Sequence, residues 1–210
     1  MNNAAYSNLG TKVGMTQIFD TDGSAIPVTV VKAGPCMVTQ TKSLSTDGYN
    51  SIQIGYYETS FKALNKPLLG HLKKVNAPAF KHLREYKTEL DSKFETGQII
   101  SADLFSVGQM VNVTGNSIGK GFSSTQKRHN FAMGPLTHGS KNHRAPGSIG
   151  AGTTPGRVIP GKKMPGQLGA QKTTVKNLKI IDIQIDQNLI LLKGSIPGKR
   201  GNLISIKPSN

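Results

Sequence analysis

Residues 119–170 read GKGFSSTQKRHNFAMGPLTHGSKNHRAPGSIGAGTTPGRVIPGKKMPGQLGA, and this stretch divides the chain. Its apolar residues follow neither the helical period of 3.6 nor the strand period of 2. Gly and Pro crowd it. A segment of this kind buries too little surface to offset its ordering entropy. A structureless run this long is out of place inside a compact domain. The expectation is that an external partner orders it. The acids name that partner's charge: from residue 104 to residue 181 there is no Asp and no Glu. The same window holds Lys120, Lys127, Arg128, Lys141, Arg144, Arg157, Lys162, Lys163, Lys172, Lys176 and Lys179, with His129, His138 and His143. An extended polyanion is the matching ligand. Lys and Arg supply charge, Gly permits close backbone approach, and Pro limits the entropy of the unbound segment.

Outside this stretch, the pattern is that of a β protein. Residues 9–19 (LGTKVGMTQIF) predict a strand, with Gly10 and Gly14 as bulge positions. Asp20 to Gly23 is a turn. Residues 24–32, 36–44 and 51–57 predict three more strands, with Pro27 at an edge or entry position. Four short strands at this spacing predict a barrel or sandwich. Asn65 and Pro67 predict the start of a short helix over 66–75, with Leu68, Leu69, Leu72 and Val75 on one face. Residues 80–88, 99–105 and 109–114 read as extended. After the basic stretch, Ile181, Ile183 and Ile185 alternate with Asp182, Gln184 and Asp186, the cleanest half-buried strand pattern in the chain. A turn at 186–188, a strand over 189–193, a turn at Pro197-Gly198 and a strand over 202–207 follow.

The expected fold class is therefore mainly β with a small α/β insertion. The β body takes 1–120 and 171–210, the insertion takes 61–101, and the extended basic loop takes 121–170. Because strands resume after the loop, the loop is an insertion with both ends pinned. Fully extended, a hairpin of about 50 residues reaches roughly 80 Å.

At 210 residues the chain is long enough for one good core. A net charge of +15 and a pI near 10.0 point to nucleic acid or an anionic surface. The single cysteine, Cys36, excludes an intramolecular disulfide and suits a reducing compartment. No apolar run approaches the roughly 20 residues of a membrane span. The opening MNNAAYSNLG has neither a signal core nor a transit pattern. The chain is expected to work where it is made, or after loss of a presequence.

No catalytic pattern emerges. Gly115 to Gly121 departs from the phosphate-binding loop, because Thr114 and Gly121 stand where a Gly and a Ser or Thr are needed. His138 and His143 lack further ligands for a metal. Ser148 lacks the GxSxG spacing. No catalytic residue, metal or cofactor is expected, nor a small-molecule substrate. Among polyanions, an irregular loop without a helix-turn-helix or zinc finger suits folded RNA. A DNA-architectural or membrane-surface protein stays open on composition, although the basic stretch has no apolar helical face for a membrane.

Residues 12–19 (KVGMTQIF) resemble the N-terminal motif of the bacterial-type large-subunit ribosomal protein three family. Residues 105–128 are similar to that family's signature, including Asn112, Gly115, Ser117, Gly119-Lys120-Gly121 and Arg128. Ser124 stands where the family usually has Gly. Residues 138–150 (HGSKNHRAPGSIG) and 154–157 (TPGR) match as well, so the resemblance covers nearly the whole chain. It implies a barrel similar to that of translation factors, carrying a long loop that threads large-subunit ribosomal RNA. It implies early assembly near the 3′ end of that RNA, neighbouring ribosomal proteins as partners, and no enzymatic activity. The implied RNA-binding residues are Lys120, Lys127, Arg128, His129, His138, Lys141, His143, Arg144, Arg157, Lys162, Lys163 and Lys172. The implied tip, near the peptidyl transferase centre, is Gly150, Ala151, Gly152, Thr153 and Thr154. Thr153 matches a position that is a methylated Gln in some bacterial members. The wording GAGTTPGR after KNHRAPGS resembles cyanobacterial and plastid members. The implied location is the plastid stroma, with the cyanobacterial cytoplasm as the alternative.

Overall fold

A computed structural model describes residues 7–88 and 94–209. Glu89 and Asp91 lie outside the described residues. The chain forms two compact units, one of residues 1–116 and 172–210, the other Ser117–Gln171.

In the first unit, six strands close into a barrel. They are β1 (Asn8–Phe19), β2 (Ala25–Ala33), β7 (Met110–Asn116), β10 (Lys172–Gln184), β11 (Leu189–Lys193) and β12 (Leu203–Pro208), in the order β1-β12-β7-β10-β11-β2. All pairs are antiparallel. Inward side chains fill the barrel: Val31, Val111, Val113, Ile180, Ile190, Leu192, Ile204 and Ile206 are buried in one cluster. Ala102 and Phe105 join it from a 3₁₀ turn at Ala102–Leu104. Such β-branched side chains suit a pleated surface buried on one face.

The second sheet, in the order β5-β4-β3-β6, comprises β3 (Cys36–Lys42), β4 (Ser51–Glu58), β5 (Phe80–Lys87) and β6 (Ile99–Ile100). The four-residue helix α1 (Leu44–Asp47) joins β3 to β4. The helix α2 (Lys66–Lys73) starts at Asn65 with Pro67 in its first turn and buries Leu72 with Ala77 and Phe80. Leu68 stays exposed, so the apolar face is narrower than the spacing predicts.

Two expectations are corrected here. The predicted third and fourth strands are not barrel strands. Both edges of β2 are already occupied, by β1 and β11, so the next strand has no edge to join. Gly34 turns the chain out at φ +85, with Ile100 O 3.0 Å from where a Cβ would stand. The α/β layer therefore begins at Cys36, not at residue 61. The second correction concerns β10. The register shifts between Ile180 and Asp182, which leaves Ile181 as an extra residue opposite β11. Ile180 is fully buried and Ile183 packs against the barrel core, while Ile185 lies beyond the strand and is 59% exposed. Strict alternation through Ile181, Ile183 and Ile185 is broken by one bulge. Of the two predicted bulge sites in β1, the register shift falls between Lys12 and Gly14. Gly10 serves close packing instead, since a Cβ there would stand 2.6 Å from Lys32 O.

Cys36 is buried between barrel and sheet, and its Sγ donates to Asn8 Oδ1 at 2.9 Å. Burial pushes the thiol from 9.0 up to about 12. Only the thiolate is a nucleophile, so iodoacetamide at pH 8 should label denatured protein and spare folded protein over the same time. Because the folded pKa is raised, the corresponding stability is complete below about pH 9 and is lost as pH rises towards about 12. Cys36→Ala should flatten that alkaline loss in a pH series of denaturation curves. For the bulge, Ile180→Ala should cost roughly 2–5 kcal/mol in urea denaturation. Ile185→Ala should stay within about 0.5 kcal/mol.

Candidate nucleic-acid interface

The second unit, Ser117–Gln171, begins and ends as a backbone ladder. Ser117 N donates to Gln171 O at 2.9 Å, Lys120 N to Leu168 O at 2.8 Å, and Leu168 N to Gly121 O at 3.0 Å. The pairing continues as β8 (Phe122–Ser123) against β9 (Gly166–Gln167). One short helix follows, α3 (Thr125–His129). Its N-cap, Ser124, sits at φ −65 and ψ 164, extended backbone open to any residue. A Ser in place of the family's Gly therefore costs no backbone strain. Asn130 ends the helix in the left-handed conformation, at φ 59.

This base is more structured than the sequence predicts. Ser123 and Thr125 are buried. The Arg128 guanidinium donates through Nη1 to Met164 O at 2.8 Å, and His129 Nε2 donates to the same oxygen at 3.1 Å. A Cβ on Gly166 would lie 2.7 Å from Arg128 Nη1, so the glycine makes room for the guanidinium. The expectation of an unstructured segment over 121–170 is corrected for its two ends. There, backbone pairing and two side-chain bonds to one carbonyl supply the order that apolar burial does not. Arg128 and His129 are half-buried and brace the base.

Beyond the base the segment opens. Gly134 N donates to His143 O at 3.3 Å, and His143 Nδ1 to Pro135 O at 3.0 Å. Every residue over 141–163 is exposed. That run holds Lys141, His143, Arg144, Arg157, Lys162 and Lys163 and the whole sequence-predicted tip, Gly150, Ala151, Gly152, Thr153 and Thr154. Lys120, Lys127 and His138 are exposed as well. Lys172 belongs to the other unit, as the first residue of β10. Among the described residues the one ion pair is Lys42–Glu85, in the first unit, so none of these cations has an acidic partner. Cations held in water without partners repel one another, and a polyanion relieves that repulsion.

Phe122 escapes a reading that counts cations. It stands beside Gly121 and Lys120 and is 80% exposed. Its signal in the sequence was an aromatic in a window with no apolar periodicity to bury it.

Comparison with known proteins agrees with the pattern of these residues. The family model described as Ribosomal protein L3 matches residues 85–188, which include β7, the whole second unit and β10. A protein of the diatom Phaeodactylum tricornutum, named Large ribosomal subunit protein uL3c, is 61% identical over 201 residues, covering 96% of this chain and 97% of its own length. The uL3c protein of the red alga Porphyra purpurea is 61% identical over 94% of this chain and 97% of its own. The uL3 protein of a Nostoc species is 62% identical over 96% of this chain and 95% of its own. With an acid-free segment closed at its base and relatives matched nearly end to end, the chain belongs to the ribosomal protein L3 family.

Proposed function

We propose that the chain is a structural, non-enzymatic constituent of the large ribosomal subunit, and that Ser117–Gln171 binds its ribosomal RNA. The observation that carries this reading is the exposed run over 141–163, with its cations unpaired and no acid within reach in sequence. The names of the relatives support the subunit assignment. The body, a barrel similar to that of translation factors, sits on the solvent side of the particle. The loop enters RNA crevices near the 3′ end of the large-subunit RNA, nucleates assembly, and brings its tip, 150–154, towards the peptidyl transferase centre. Lys120, Lys127, Lys141, Arg144, Arg157, Lys162 and Lys163 meet phosphates, with Arg suited to bidentate bonds. His138 and His143 stack on bases or bond phosphate. Phe122 offers a stacking surface that any base can use. Neighbouring ribosomal proteins are the further partners. The plastid stroma is the proposed location, with the cyanobacterial cytoplasm as the alternative, since relatives of both kinds match.

Co-sedimentation is the decisive experiment. The protein should migrate with large subunits after a high-salt wash, and release into the soluble fraction would overturn the reading. In free protein, amide exchange should be slow at Lys120 and Leu168, which pair at the loop base, and near random-coil rates over 141–163. Affinity for the RNA should fall steeply with salt. Neutralising about eight phosphates gives a log–log slope on the order of −6 to −7. Replacing Lys162 and Lys163 together by Ala should reduce its magnitude by about 1.5.

Gly152 separates tip function from fold. Nothing lies within 4 Å of a Cβ built there. Gly152→Asp should leave stability of free protein within about 0.5 kcal/mol. Against crowded phosphates the carboxylate is poorly screened. Mutant subunits should assemble and transfer peptide to puromycin more slowly. A large fall in melting temperature with normal transfer would reassign the tip to the fold.

A further inference from the structure

The outward face of the barrel is not uniformly solvated. On β12 the inward residues are Ile204 and Ile206, so Leu203, Ser205 and Lys207 point out. On β7 the inward residues are Val111 and Val113, so Thr114 and Asn116 point out beside them, Thr114 opposite Ser205. Lys172 on β10 stands opposite Asn116. Across from this face runs β5, tied to it where Tyr86 Oη donates to Ser205 Oγ at 2.8 Å. Between them lies a cleft of about 450 Å³. Leu9, Leu203 and Tyr86 give it an apolar wall.

Three cations line the cleft: Arg84, Lys172 and Lys207. The one acid among the described residues that line it, Glu85, is engaged by Lys42 Nζ at 2.9 Å and by Ser51 Oγ at 2.8 Å. Hydrogen bonds hold the Glu85 carboxyl at about 2, so it stays ionised and occupied with its own partners. Among the described residues the three cations therefore face the cleft without a neutralising group. Ser7 also lines it, only 1% exposed, and its buried hydroxyl has no hydrogen-bond partner among the described residues. A buried hydroxyl without a partner destabilises the fold, and a ligand that bonds it recovers that cost.

We infer that this cleft is a second RNA site, separate in the chain from the loop, and that it takes one unpaired ribonucleotide. The volume falls within the range of small-ligand sites. A base rests against Tyr86 and Leu203, its phosphate faces Arg84, Lys172 and Lys207, and a ribose or base oxygen reaches Ser7. The inference rests on the proposed RNA binding and adds a place to it. Lys172 belongs to the acid-free window. Arg84 and Lys207 lie outside the acid-free window, and only the fold brings the three together.

The test is NMR of isotope-labelled full-length protein titrated with a hexauridylate, with inorganic phosphate and hexaglutamate as comparison probes. Amides of Thr114, Asn116, Ser205 and Lys207 should shift saturably with the oligonucleotide. The double variant Arg84→Ala/Lys207→Ala, with unchanged spectral dispersion, should weaken that binding about tenfold. Shifts confined to the loop would overturn the cleft and leave the RNA reading standing. No shift in either unit would overturn both. Equal affinity for inorganic phosphate would overturn the nucleotide in favour of a plain anion. Tighter binding of hexaglutamate would overturn it in favour of an acidic protein segment.

Discussion

The antiparallel ladder between β7 and β10 is the constraint on which the rest of the molecule depends. Asn116 pairs with Lys172, so the residues that leave and re-enter the barrel are cross-strand neighbours. Loop-closure entropy for a long insertion grows only slowly with its length, and the ladder meets that cost once. The same ladder supplies two of the strands that close the barrel. A long polar segment is thereby carried without disturbing the core, and the core without loop residues in it. The short ladder from Ser117 and Gln171 to β8 and β9 continues the same logic outward, until pairing stops and exposure begins.

Charge is distributed along the same boundary. The first unit holds every acid of the chain, and the described ones include the Lys42–Glu85 pair. The charged residues of the second unit are all cations. An exposed cation alone is ordinary. A run of them with no acid stores mutual repulsion that water and salt only partly screen. The free chain tolerates this because every residue of the run over 141–163 is exposed to water. Bound to phosphates, the same arrangement becomes attractive, and release of condensed counterions adds to it. Arg128 and His129 show how the base is kept from joining this open state: both give hydrogen bonds to Met164 O.

The first unit has its own division of labour. Different residues of the same barrel strands fill the barrel interior and pack against the second sheet. On β1, Leu9 packs with Cys36, Val38 and Ile54 of the sheet, while Lys12 donates to Ile196 O and Gly198 O. On β12, Ile204 and Ile206 fill the barrel and Leu203 packs towards the sheet. The two layers meet across the outward residues of β1 and β12, and where they diverge a cleft remains.

The sequence by itself determined the β character, the positions of most strands, the start of α2 at Asn65 and Pro67, and the acid-free window. These are local properties: alternation, turn chemistry and charge are written in neighbouring residues. It did not determine which strands pair. Period-2 alternation says that one face is buried and is silent on the partner, so β3 and β4 looked like barrel strands until both edges of β2 were seen to be filled. Nor did it reveal the single extra residue at Ile181, which hands the core position to Ile180, because a bulge is defined only against the opposite strand. Of the candidate site, Lys141, Arg144, Arg157, Lys162, Lys163 and the tip were legible, since an acid-free exposed run needs no partner to be recognised. The inward turn of Arg128 and His129, and the meeting of Arg84, Lys172 and Lys207, were decided by the tertiary structure. Both depend on residues far apart in the chain being brought together by backbone pairing, a distance that no local pattern encodes.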